Sequence, residues 1–334
     1  MAVITFCILR AIYQYLTQTP PTFPLLRLPR VALTEVLRCL DPIELFIFAH
    51  CSSKSSAVVP LVKSRSFHIG IDNQFRKRVV INQDYHFSLE KFVSKGKPMS
   101  YSVEGLYYCT VHSDDGYEKF IWYFRDLYNS PIRSVKFFPI KDFDQIAKFL
   151  LAPQKVGKIE ELEICGNRLP SPLMRLTLDV IQKANISLAL CIRPNAPRGF
   201  VYNFGKLPER LEIKYSHWFN MANLMQASNC AHIDLHKSSL TIQNIQEFIS
   251  RWKQGEFPNL EYFQAYNVAF NLSDHPDFED RLNTTVHRKR VKNCDYTRSI
   301  TNGVKIQREN GQEAEYRIQG NWFKFFVRSE WDIC

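Results

Sequence analysis

Six short apolar cores recur from residue 135 onward, and their spacing limits the fold more than any other feature. They lie at Val135-Lys136-Phe137, Leu162-Glu163-Ile164, Leu188-Ala189-Leu190, Leu211-Glu212-Ile213, Ile233-Asp234-Leu235 and Leu260-Glu261-Tyr262. Successive starts are 27, 26, 23, 22 and 27 residues apart. Most alternate apolar with polar residues, the period of a strand with one covered face. Between them the period changes to that of a helix. Phe143, Ile146, Phe149 and Leu150 share one helical face; so do Leu173, Leu176, Val180 and Ile181, and again Ile242, Ile245, Phe248, Ile249 and Trp252. A unit of one strand and one helix cannot cover its own apolar side, so such units must stack with their strands parallel.

That spacing overlaps the roughly 20–29-residue period of leucine-rich repeats, where each unit supplies one strand and one helical return. The expected fold class is α/β, with residues 131–334 forming an irregular leucine-rich-repeat-like α/β solenoid. Residues 191–210, rich in proline and glycine, carry no helical period and are expected as a loop. An ordinary α/β sheet with uneven spacing is the alternative the residues leave open. Upstream, "SFHIGID" and "FRKRVVIN" alternate like strands, and Asp114-Asp115-Gly116 reads as a turn between apolar runs. Residues 69–130 are therefore expected to form a β-rich connecting region.

The N-terminal part follows a different rule. Leu33, Val36, Leu37 and Leu40 stand at helical spacing, and Leu28-Pro29 fixes an extended entry before them. Asp41-Pro42-Ile43-Glu44 announces a second helix: aspartate to cap, proline at the first position, glutamate three residues after the cap. That helix then runs Leu45-Phe46-Ile47-Phe48-Ala49. Five apolar residues in a row require burial on more than one side. One side can rest on the first helix; the other needs the following domain or a different chain. Pro60 limits a third helix to a short or kinked one, or to one beginning near Val59. Residues 1–22 form an extension. Its apolar run, Val3 to Leu9, has no preceding cation and is too short to span a membrane.

Charge and cysteine content narrow the function. The chain carries a net charge of +10, with basic knots at Arg76-Lys77-Arg78 and Arg288-Lys289-Arg290. No aromatic residues interleave with them as in a nucleic-acid module, so solvated loops are expected there, with a nuclear address an alternative for the second. Nine cysteines with no framework spacing indicate a reducing compartment, cytoplasmic or nuclear, which makes the sequons at Asn185, Asn271 and Asn283 coincidental. No Gly-rich phosphate loop and no G-x-S-x-G elbow is present. Cys230, His232 and His236 could share one side of a strand, but a zinc site needs a fourth ligand. Cys109 and His112 could pair as thiolate and imidazole, but no third group orients them. No catalysis, metal or cofactor is expected.

Leu28-Pro29, Val36-Leu37, Leu40-Asp41-Pro42, Leu45 and the exit Cys51-Ser52-Ser53-Lys54 resemble the F-box motif. More narrowly, "FPLLRLPRVALTEVLRCLDPIELFIFAHCSSK" resembles the version in the nematode family whose F-box precedes a type 2 F-box-associated domain. "SLTIQNIQEFISRWKQGEFPNLEYFQA" and "IQRENGQEAEYRIQGNWFKFFVRSEWD" resemble that domain and its closing β-hairpin. The resemblance implies a three-helix F-box at 23–68 and an F-box-associated domain at 131–334. It implies docking of a Skp-family adaptor through Leu28, Pro29, Val36, Leu37, Leu40, Pro42, Ile43 and Leu45, and through the adaptor a cullin-based ubiquitin ligase. The chain would then be a non-catalytic receptor for an unknown target protein, without nucleic-acid or membrane partners. The competing reading is a repeat scaffold with no ligase role, its early helices capping the first repeat.

Overall fold

The computed structural model describes residues 25–61, 67–73, 76–90, 99–112, 116–151, 158–184, 186–266, 286–290, 297–301 and 303–328. The expectations for residues 1–22, for Asp114-Asp115 and for the three sequons lie outside these. The described chain opens with α1 (Arg30–Cys39), α2 (Pro42–Ala49) and the short α3 (Ser53–Val58), flanked by single 3-10 turns at Leu25–Arg27 and Val59–Leu61. Strands β1 (Ile69–Asp72), β2 (Arg78–Ile81), β3 (Tyr85–Glu90), β4 (Met99–Val103) and β5 (Leu106–His112) follow, then α4 (Tyr117–Tyr128). Next come β6 (Ile132–Phe137), α5 (Pro139–Leu150), β7 (Glu161–Ile164), α6 (Ser171–Ala184), β8 (Ala189–Ile192) and β9 (Arg210–Ile213). They are followed by α7 (Met221–Gln226), β10 (His232–Leu235), α8 (Ile242–Lys253) and β11 (Tyr262–Tyr266). The last strands are β12 (Val286–Arg290), β13 (Thr297–Thr301), β14 (Val304–Gln307), β15 (Glu313–Gln319) and β16 (Trp322–Val327).

The chain divides into two compact units, Met1–Phe67 with Ile81–Ser130, and His68–Val80 with Pro131–Cys334. In the first, β3 pairs parallel with β5 and β5 antiparallel with β4. The apolar run after Gly116, expected beyond a turn in a β-rich region, is the helix α4. Tyr117, Phe120, Ile121, Phe124, Leu127 and Tyr128 are its buried residues, a helical spacing that its β-favouring aromatic composition disguises. The core of this unit is aromatic. The Phe46 ring stacks on Phe124 at 5.4 Å between centroids and lies 5.2 Å from Phe87, and the latter two are 4.5 Å apart. The Tyr128 hydroxyl donates to the Pro42 carbonyl at 2.6 Å, a tie that satisfies a polar atom inside this core.

In the second unit, β6, β7, β8, β9, β10 and β11 pair in sequence order, each parallel to the next. Register aligns Val135, Leu162, Leu190, Leu211, Ile233 and Phe263 in one row, all at most 2% exposed. β1 adds parallel to the outer side of β6, and a Cβ at Gly70 would come within 2.6 Å of the Ser134 hydroxyl, which would have to turn away. Beyond β11 the direction reverses: β16, β15 and β14 continue antiparallel, so the expected closing hairpin is one part of a three-stranded meander. β12 and β13 form a separate antiparallel pair. The helix α8 buries Ile242, Ile245, Phe248, Ile249 and Trp252. The buried face of α6 is rotated by one position, to Met174, Thr177, Leu178 and Ile181, leaving Leu176 half exposed. Thr177 tolerates burial because its hydroxyl donates to the Leu173 carbonyl at 2.7 Å. Residues 193–209 contain no helix.

Candidate functional site

The first candidate surface is built on the opening helices. Asp41 caps α2 in a reciprocal capping box: its Oδ1 accepts from the Glu44 amide, and Glu44 Oε2 accepts from the Asp41 amide, both at 2.8 Å. Burial pushes the Glu44 carboxyl above the usual carboxylate range; the backbone hydrogen bond opposes this and the Asp41 charge adds to it. Of the residues expected to meet an adaptor, Leu37, Pro42, Ile43 and Leu45 are buried within the chain. Leu28 and Leu40 are half-buried, and Pro29 and Val36 are exposed. Four of the eight thus serve as core in the free chain. The physical reason is that Phe87 and Phe124 supply the second surface that α2 required, a contact between residues tens of positions apart. Apolar side chains nevertheless stay bare: Val31 is 76% exposed, Ile47 47%, Val36 39% and Leu26 36%. Val31 and Ile47 escaped the sequence reading. Their signal was an apolar residue where the Leu33 and Leu37 face, or the Leu45 and Phe46 face, points away.

The second candidate is a cavity of about 540 Å3 in the other unit. It opens where β9, β10 and β11 begin. Leu188, Leu260 and Val327 line it with apolar surface, while Arg210, His232, Glu209, Glu261 and Arg328 bring charge and Asn229, Asn259 and Gln312 bring amides. Arg210 stands 3.5 Å from Glu161. Arg328 is held by Glu313 at 3.0 Å and by Glu315 at 2.7 Å. His232 is 8% exposed, and its Nε2 makes no hydrogen bond, although Glu261 Oε2 lies 3.3 Å away.

A polar cross-strand network lies further along the same sheet. Glu163 of β7 receives Lys136 of β6 at 2.9 Å and the Arg193 Nε. Burial raises the Glu163 carboxyl, but the hydrogen bond and charge of Lys136, with those of Arg193, outweigh it and hold the group below the usual range. On the next strands, Tyr262 donates to Gln264, Gln264 donates to Asp234 at 3.3 Å, and His236 approaches Asp234 at 3.2 Å.

The reactive candidates read from sequence do not assemble. Cys230 faces inward, its thiol donating to the Pro208 carbonyl at 3.1 Å, while His232 and His236 turn to separate carboxylates. Among the described residues no group of three or more His, Cys, Asp or Glu could hold a metal ion. Cys109 is buried, its thiol pushed up to about 12 by burial, and the His112 side chain lies outside the description. No helix among the described residues is long and apolar enough to cross a membrane.

Comparison with known proteins matches two segments of the chain. A family model for the F-box domain matches residues 25–67, the stretch that holds α1 to α3, and a model described as F-box associated matches residues 202–265, which hold β9 to β11. The chain is 21% identical over 330 residues to uncharacterized protein F59B2.9 of Caenorhabditis elegans, covering 89% of this chain and 76% of that one. It is 23% identical over 282 residues to the Skn-1 dependent zygotic transcript 15 protein of the same nematode, covering 71% and 77%. No solved structure matches the chain significantly. The chain therefore joins an F-box to an F-box-associated domain, the pairing that defines the nematode F-box family its opening helices and its α8 segment resemble.

Proposed function

We propose that the chain is a non-catalytic substrate receptor of a Skp–cullin–F-box ubiquitin ligase. The F-box, residues 23–68, docks a Skp-family adaptor and through it a cullin. Residues 81–130 brace it, and residues 131–334 form a leucine-rich-repeat-like solenoid that holds the target protein. Catalysis would come from a ubiquitin-charged enzyme elsewhere in the assembly, and the receptor would contribute proximity, raising the effective concentration of a target lysine. The work belongs inside the cell, in cytoplasm or nucleus, where six thiols among the described residues stand unpaired.

The observation that carries this reading is the bare apolar surface on a motif matched as an F-box: Val31, Val36 and Ile47 stay exposed on helices that bury Leu33 and Leu37, and Leu45 and Phe46, on another face. Exposed apolar residues gathered into a contiguous patch mark association surfaces. In this reading Leu28, Pro29, Val36 and Leu40 touch the adaptor together with Val31 and Ile47. Leu37, Pro42, Ile43 and Leu45 hold the presenting helices in place from beneath. Co-purification with a Skp-family adaptor tests it. Val31→Asp combined with Ile47→Asp should lower adaptor affinity at least tenfold while the chain stays folded by circular dichroism. Undiminished binding would remove the docking assignment.

A further inference from the structure

The parallel strands β7, β8, β9 and β10 release the chain along one edge of their sheet, and charge divides between that edge and the opposite one. The stretches that leave these strands, residues 165–170, 193–200, 214–220 and 236–241, hold Arg168, Arg193, Arg198, Lys214 and Lys237 and no Asp or Glu. Where the chain enters β7, β9 and β11, Glu160, Glu161, Glu209 and Glu261 outnumber Lys158 and Arg210. On the leaving edge Arg193 is held by Glu163. Arg168, Arg198, Lys214 and Lys237 are exposed, and none of them is ion-paired among the described residues. Lys237 rests over the Tyr215 ring, 4.4 Å from its centroid. Register puts Glu163, Glu212 and Asp234 level with one another on the strands below. Glu163 faces Lys136 and Arg193, and Asp234 faces His236, which leaves Glu212 against those exposed cations. Hydrogen bonding continues past the strand ends. The Lys214 amide donates to the Ile192 carbonyl at 2.9 Å, the Asn195 amide to the Asn167 carbonyl at 2.8 Å, and the Ser216 amide to the His236 carbonyl at 2.8 Å. The cations therefore stand side by side on a fixed backbone.

We infer that this edge is the docking surface for an acidic segment of the target protein, a short run of Asp and Glu in extended conformation. Three strand spacings of ~4.8 Å make a row of about 14 Å, the reach of roughly four extended residues at ~3.3 Å each. The guanidinium groups of Arg168 and Arg198 each take a carboxylate through two hydrogen bonds, while Lys214 and Lys237 act as point charges. The amino ends of α6 and α8 follow the same loops and add potential of the same sign. This rests on the receptor reading above and names the chemistry of the segment that the receptor holds.

The test titrates the full chain into a fluorescent, blocked peptide of alternating Asp and Glu and reads anisotropy. Binding should saturate and weaken as salt rises, and the matching peptide of Asn and Gln should not bind. Arg168→Glu combined with Lys214→Glu, at exposed positions, should weaken the acidic peptide about tenfold with circular dichroism unchanged. Lys183→Glu combined with Lys253→Glu makes the same charge change at exposed positions near the far ends of α6 and α8, and should alter affinity less than about twofold. A single-stranded RNA of matched charge should bind less tightly than the peptide. Failure to saturate, equal losses in the two double variants, or tighter binding of the RNA would each overturn the inference. Amides in place of Asp274, Asp277, Glu279 and Asp280, the acidic run that follows β11 in sequence, should leave peptide affinity unchanged. A clear gain there would give the edge to this chain's own acidic run and overturn its assignment to a target. A chain that binds a Skp-family adaptor but not the acidic peptide overturns the docking edge and leaves the receptor reading intact. A chain that binds the peptide but no adaptor overturns the receptor reading and leaves the edge.

Discussion

At the scale of single residues, Phe46 shows how the second F-box helix is anchored. It is 1% exposed and touches rings from β3 and α4. Phe46→Ala should cost about 3–5 kcal/mol of stability, read from the midpoint of denaturant unfolding. Glu163 offers a different test, because its folded-state pKa is depressed. Its contribution is therefore present above the unfolded value of about 4.3 and is lost as pH falls through the lower folded value. Glu163→Gln should destabilise the chain by about 1 kcal/mol at pH 7, and the gap between the two proteins should close in strongly acidic solution. The cysteines separate by environment. Cys39 and Cys51 are exposed and should react within minutes with a thiol reagent. Burial holds Cys109, Cys165 and Cys230 at about 12, with the Glu163 charge adding to the effect at Cys165, so these three should react only after unfolding.

At the scale of elements, the capping box on α2 ties local sequence to the placement of the exposed Ile47. Asp41→Ala removes one side of it and should cost about 1 kcal/mol, with the loss visible as faster amide exchange in the first turn of α2. Elements of this kind were legible from sequence wherever one strong local signal stood alone. Asp41-Pro42-Ile43-Glu44 marked its helix start correctly, and the five buried residues of α8 are those its period selects. Reading failed where local signals conflict. Leu176 has the hydrophobicity of a core residue, but Thr177 took the inward position by bonding backward to its own helix. Tyr117 to Tyr128 has the aromatic content of a strand and the spacing of a helix, and spacing decided. The candidate sites were the least legible part. The second covered face of α2 depended on Phe87 and Phe124, which meet Phe46, and the cavity gathers side chains from segments as far apart as Leu188 and Arg328. Nothing in a local window signals such a meeting.

At the scale of the molecule, the division of the chain is not the one the order of motifs implies. Residues 81–130 cluster with the F-box helices, while residues 68–80 cluster with the long run of parallel strands. Removing residues 23–68 should therefore strip protection from amides of α4, whose Phe124 loses the ring stacked on it, while amides of β9, β10 and β11 keep theirs. Hydrogen exchange followed by mass spectrometry distinguishes this from a uniform loss, which would mean that the early helices hold the whole parallel sheet together. The Phe46–Phe124 stack carries a practical corollary for anyone who would transplant this F-box onto another binding module. The graft would have to carry Phe87 and Phe124 with it, because the matched motif alone leaves behind the floor on which its second helix stands.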